Sequence, residues 1–247
     1  MANWNDPQPS RTGFGASPSL SGVQGRSEVF DAGLRRHMLS IYNYMASGVL
    51  LSGVIALLFA TSGAAAVVYG TPLRWVIALA PLAFVMVMSF GVNRLSTFAM
   101  QALFWAFSAV MGLSLASIFF VYTGPSIAAT FFATAGAFAG LSLFGYTTQK
   151  SLSGMGTFLI MGLVGILIAS VINLFLQSPG LAWGISFLGV LIFAGLTAYD
   201  TQRLKEQYAY VAGSEMAGKV VVLGALTLYL DFINMFTFLL QFMGDRR

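Results

Sequence analysis

Two aspartates stand out in a chain of 247 residues that holds only 8 acids and one histidine. After residue 40 the acids are Asp200, Glu206, Glu215, Asp231 and Asp245. Of these, only Asp200 and Asp231 lie inside or at the edge of an apolar run. A charge at the bilayer centre costs about 2.5–3.5 kcal/mol on insertion scales, so such a residue calls for a reason. Asp231 belongs to a pattern. Thr227, Asp231, Asn234 and Gln241 fall within about 80° of one another at 100° per residue and form one polar stripe. The rest of that helix is Leu, Phe and Met. The stripe reads either as a hydrogen-bonding seam between helices or as the lining of a polar path. Asp200 closes the preceding run in Ala198-Tyr199-Asp200-Thr201-Gln202, where it either caps a loop at the interface or meets Asp231. Two carboxylates within hydrogen-bonding reach in a low dielectric cannot both ionise cheaply, so they share one proton and form a proton-sensitive latch. Arg94, at the end of the second apolar run, is the base predicted to neutralise the pair. Alternatively it anchors that run at the headgroups.

These residues must be positioned by membrane-spanning helices. Apolar residues make up 57% of the chain and charged ones 8%, against about 25% charged in soluble domains. There is no Cys, which excludes a disulfide scaffold, iron–sulfur clusters and thiolate zinc sites. Seven runs reach the length of about 20 residues that a bilayer crossing needs. They cover residues 41–68, 75–92, 98–122, 127–146, 157–176, 181–199 and 220–242. None alternates with period two, so helices rather than barrel strands are predicted. The fold class is therefore all-α, a polytopic membrane protein of seven helices. The last helix should be enclosed by the other six, because its ionisable stripe cannot face lipid. Residues 1–30, with Pro7, Pro9, Pro18 and many Gly and Ser, read as a disordered tail, and 31–247 as the membrane domain. The spacings Gly136–Gly140 and Ser153-Gly154-Met155-Gly156 suggest close helix packing. His37 is taken as interfacial.

Orientation follows from Lys and Arg. With the amino end inside, nine basic residues fall on the inner side and Arg74, Arg246 and Arg247 on the outer, which favours amino end in and carboxyl end out. Trp75 and Trp183 then sit at the outer interface. The basic residues are scattered, so no nucleic-acid partner is expected.

An enzyme is not expected either. Tyr199-Asp200 would suit half of an intramembrane aspartyl protease, but Leu228-Tyr229-Leu230 precedes Asp231 where Gly-x-Gly is needed. A membrane-embedded His for a serine protease is not apparent, and Lys219 is too shallow to hold a retinal.

Ala198-Tyr199-Asp200-Thr201-Gln202 and Leu226-Thr227-Leu228-Tyr229-Leu230-Asp231-Phe232-Ile233-Asn234 resemble the two signatures of the Bax inhibitor-1 family. Lys150-Ser151-Leu152-Ser153 is similar to that family's loop between segments four and five. The resemblance covers about residues 30–244 and points to the prokaryotic branch, hence a bacterial inner membrane. It implies a pH-sensitive calcium leak. In that family the aspartates of the last two helices are the proton sensor, the last helix stands amid the other six, and a base on segment two, here Arg94, bonds to the pair. Calcium would then be a permeating ion held weakly and transiently at Asp200 and Asp231, helped by Asn234 and Thr227, with no resident cofactor. Two carboxylates fall short of the six to eight oxygens of a tight calcium site, which suits permeation better than storage. The expected partners are the lipid bilayer, calcium and protons, with room for an unidentified membrane protein. The alternative is a non-conducting scaffold or protease-partner protein whose Asp pair is structural.

Overall fold

A computed structural model describes residues 20–247, with side chains from residue 29. Among them nine helices follow in chain order: α1 Leu20–Thr61, α2 Ala64–Tyr69, α3 Leu73–Gly91, α4 Thr97–Leu115, α5 Ile118–Val121, α6 Gly124–Thr147, α7 Ser153–Leu176, α8 Pro179–Val211 and α9 Met216–Met243. Seven spans are long and apolar enough to cross a membrane, with α4 and α5 joined in one of them. The all-α, seven-span fold is thus the observed one.

The breaks arise from local chemistry. Gly63 adopts a left-handed φ of 73° between α1 and α2, a conformation glycine takes without a Cβ clash. Pro125 stands in the first turn of α6 and Pro179 in that of α8, where a missing N–H costs nothing. Ser178 caps α8 by accepting from the Leu181 N–H at 3.3 Å. The first span differs from the predicted one. Helix α1 starts at Leu20 and stops at Thr61, so residues 20–30 of the expected tail are helical, while residues 1–19 lie outside the described residues. After Pro18 nothing forbids a helix from propagating backwards from the apolar run, and the Phe30 ring packs at a tilt against Tyr208 of α8 with centroids 5.1 Å apart.

Packing centres on α9, which touches α8, α1, α6, α4 and, more sparsely, α3, whereas α7 packs on α8. Burial reaches 61% in the most apolar window of α9, against 39% in α8 and 28% or less in the others. Large side chains such as Phe90, Phe132, Phe158 and Phe175 are exposed around the bundle, as a lipid-facing surface requires. Small residues bring backbones together at two points. A Cβ on Gly145 of α6 would run into the Ala198 carbonyl of α8, and one on Gly112 of α4 would lie 2.7 Å from the Ser52 carbonyl of α1. The Gly136–Gly140 spacing does not do this, since neither glycine, nor Gly154, has any atom within 4 Å of such a Cβ. Those two residues lie on the exposed face of α6, turned away from the buried Thr134, Phe138 and Ser142. Gly156 does pack closely, beneath the Tyr199 ring. His37 is buried within the first span, its ring 5.2 Å from that of Tyr208.

The two ends of the bundle are tied differently. At one, which we call the basic end, the Lys205 ammonium donates to the Tyr146 carbonyl at 2.8 Å and that of Lys219 to the Val92 carbonyl at 3.1 Å. Gln202 holds the α6–α7 connection there, donating to the Lys150 carbonyl at 2.9 Å and accepting from the Leu152 N–H at 2.8 Å. At the opposite end Tyr122 and Arg246 form an antiparallel bridge. The Thr123 N–H donates to the Asp245 carbonyl at 3.0 Å, and the Arg247 N–H to that of Val121 at 2.9 Å.

Candidate functional site: a buried carboxyl pair between two cavities

Helices α8 and α9 form the most extensive helix pair of the bundle. Their contact carries Asp200, 9% exposed, and Asp231, 4% exposed. Both carboxyl-bearing side chains border the same space between the two helices. A hydrogen bond between two carboxyl groups would require a proton on one of them. Oδ2 of Asp231 has no hydrogen-bond partner.

A cavity of about 470 Å³ opens beside the pair between α7, α8 and α9. Asp200, Asp231, Thr227 and Asn234 all line it, so four of the five residues singled out in the sequence meet in one place. Thr227 donates its hydroxyl to the Leu223 carbonyl at 3.1 Å, and Asn234 its amide to that of Leu230 at 2.8 Å. The Thr227 hydroxyl and one N–H of the Asn234 amide are therefore used on their own helix, while the second amide N–H stays available as a donor and both side-chain oxygens remain as acceptors. A second cavity, of about 400 Å³, lies nearer the basic end and is lined by Ser89, Gln207 and Gly224 among others. The two cavities share Asp200, Arg203 and Thr227.

Arg94 is not at the site. It is exposed, in the turn after α3 where its N–H donates to the Gly91 carbonyl at 2.9 Å, and it lines neither cavity. Helix α3 ends too early to carry it inward, and Lys219 takes the Val92 carbonyl instead. The base beside Asp200 is Arg203, whose charge acts on that carboxyl. The i, i+3 spacing on one helix places them on the same face, a signal present in the sequence.

Towards the opposite end the stripe continues to Gln241, which accepts from the Ser186 hydroxyl at 3.3 Å and lines a third cavity, of about 410 Å³, with Asn173, Gln177 and Arg246. Between it and the carboxyl pair stands Phe238. Its ring stacks on Phe193 with centroids 5.8 Å apart and covers Gly189, on which a Cβ would lie 2.6 Å from the ring. Among the described residues no three His, Cys, Asp or Glu side chains gather as a metal cluster. An ion at the pair would complete its shell with Thr227, Asn234, backbone carbonyls and water.

The fold and site are those of a polytopic integral membrane protein built around a buried carboxyl pair on its last two spans. Residues 34–247 match the family described as "Inhibitor of apoptosis-promoting Bax1", and the chain belongs to that Bax inhibitor family. It is similar to an uncharacterized protein of Caulobacter vibrioides, 49% identical over 88% of this chain and 91% of that one. It is also similar to the inner membrane protein YbhL of Escherichia coli K12, 46% identical over 87% of this chain and 94% of YbhL. The uncharacterized protein RP147 of Rickettsia prowazekii is 42% identical over 90% and 94% of the two chains.

Proposed function

We propose that the protein is a pH-sensitive calcium leak of a bacterial inner membrane, gated by the Asp200–Asp231 pair. The observation that carries this reading is the position of the pair. Asp200 lines both the basic-end cavity and the mid-bundle cavity, and the buried Asp231 lines the second beside it. With one proton shared, the carboxyl–carboxylate bond ties α8 to α9 and the path is closed. When both ionise, like-charge repulsion and the pull of Arg203 on Asp200 separate the helices. Calcium favours the doubly ionised form, so protons and calcium compete. The amino end and the basic end face the cytoplasm in this scheme, by the distribution of Lys and Arg. Phe238 is the apolar barrier on the far side of the pair, of the kind that passes ions only when wetted.

The test is calcium flux into proteoliposomes that contain only this protein, across about pH 6 to 8. Asp200→Asn and Asp231→Asn should each lose the pH response. The double variant should add little, because the two residues act as one unit. No calcium flux from the unsubstituted protein at any pH would end the leak reading. Full pH dependence in either single variant would end the shared-proton latch.

A further inference from the structure

A groove of about 490 Å³ runs between α1 and α6 on the outside of the bundle, apart from the cavities at the carboxyl pair. It exists because α1 and α6 both pack on α9 but scarcely on each other. Its floor is core: Met38 is 3% exposed and Phe138 6%. Its walls include Leu39 and Leu143, both exposed on the surface where acyl chains lie. The volume is that of a ligand-sized cleft, about 300–1,000 Å³ in general.

The polar groups gather at one end. Helices α1 and α6 are antiparallel, so Arg35, near the start of the first span, faces Tyr146, in the last turn of α6. Both line the groove. Lys205 of α8 reaches the same place, its ammonium 2.8 Å from the Tyr146 carbonyl and 5.7 Å from the centre of the Tyr146 ring. Arg35 thus lines the groove itself, and Lys205, which like Asp31 and Glu206 does not line it, stands at its rim on the Tyr146 carbonyl. Basic pockets between spans at the membrane surface hold anionic headgroups.

We propose that this groove binds one anionic phospholipid in the leaflet at the basic end, an acyl chain lying between α1 and α6 and the phosphate held by Arg35 and Lys205. An anionic lipid fits and a zwitterionic one fits less well, because the cation of a choline headgroup would meet two further cations. The site is independent of any ion flux through the bundle.

The experiment is native mass spectrometry of the full chain in a neutral detergent, titrated with phosphatidylglycerol, with phosphatidylcholine of the same chains, and with glycerol 1-phosphate. The first phosphatidylglycerol should bind at least about ten-fold more tightly than phosphatidylcholine. Arg35→Gln and Lys205→Gln should each weaken phosphatidylglycerol by about five-fold, as expected for one basic side chain near an anionic surface, and leave phosphatidylcholine unchanged. Ala139→Trp, which fills the slot away from both cations, should weaken both lipids. Should Lys205→Gln fail to fold because it also caps α6, the exposed Arg35 carries the test alone. Equal affinity for the two lipids, discrimination that survives Arg35→Gln, or binding of glycerol 1-phosphate as tight as that of the lipid would each overturn the proposal.

Discussion

Gly189→Ala is the sharpest probe of the barrier at Phe238. The new methyl would lie 2.6–2.7 Å from three ring carbons of Phe238, where ordinary contact is 3.4–4 Å. The ring must therefore withdraw by about 1 Å, and it cannot pivot freely because the carbons concerned are at the root of the ring and its face rests on Phe193. Overpacking of this kind costs about 1–3 kcal/mol. In a Phe238→Ala background the obstruction is gone. The same substitution should then be neutral, or stabilising by up to about 1 kcal/mol through helix propensity. The two sites should thus show a coupling of about 1–4 kcal/mol in a double-mutant cycle, read from denaturant unfolding in detergent micelles. In proteoliposomes Phe238→Ala should raise calcium leak at every pH, since it removes a barrier that does not titrate. An equal cost of Gly189→Ala in both backgrounds would refute the contact. Unchanged leak in Phe238→Ala would refute the barrier.

Three further predictions concern other contacts. Arg203→Gln should change the calcium flux by about two- to five-fold, the worth of a solvent-screened charge pair, while Arg94→Gln leaves it unaltered; the reverse order in a flux assay would restore Arg94 to the site. Gly145→Ala should lower the thermal unfolding midpoint, at a cost of about 2 kcal/mol or more, because the obstacle is the Ala198 backbone, which cannot rotate away. Gly136→Ala, in open space on the same helix, should cost nothing, and equal midpoints for the two variants would show that α6 and α8 do not approach so closely. Tyr229→Phe removes a hydroxyl that lies 2.6 Å from the Ser52 hydroxyl in the α1–α4–α9 core. It should destabilise by about 0.6 kcal/mol and by no more than about 1.7, the range for buried hydrogen bonds between spans, as measured by unfolding in micelles.

How far the chain could be read before its structure depended on whether a feature is local. The seven spans were legible because lipid leaves no alternative to long apolar helices. The carboxyl pair was legible because Asp231 sits in a stripe with helical spacing and Asp200 ends the preceding run. The start of α1 was misread because the composition of residues 20–30 resembles that of the stretch before it, while the decisive contact, Phe30 on Tyr208, joins distant parts of the chain. Arg94 looked central because it ends an apolar run. Only the course of the backbone after Gly91 shows that its side chain turns outward. Phe238 could not be singled out at all among 22 phenylalanines, since its distinction is the glycine beneath it on another helix. Gln202 likewise shows its role only when the α6–α7 connection folds back onto it.

The bridge between Tyr122 and Arg246 bears on how α9 can move. With residues 245–247 held by backbone hydrogen bonds to residues 121–123, the end of α5 and the connection to α6, the helix is tied at that end, which resists sliding along its own axis. The opening proposed at the carboxyl pair would then be a swing about that end. Asp231 lies 14 residues from Asp245, about 21 Å at 1.5 Å per residue, so a tilt of only about 5° carries its carboxyl about 2 Å sideways. That is enough to break one hydrogen bond to Asp200, while residues close to the tied end scarcely shift. Under the proposed gating the helix would act as a hinged lever whose long arm carries Asp231, and ring contacts near its pivot, such as those of Phe242 with Trp183 and Phe187, would persist through the motion.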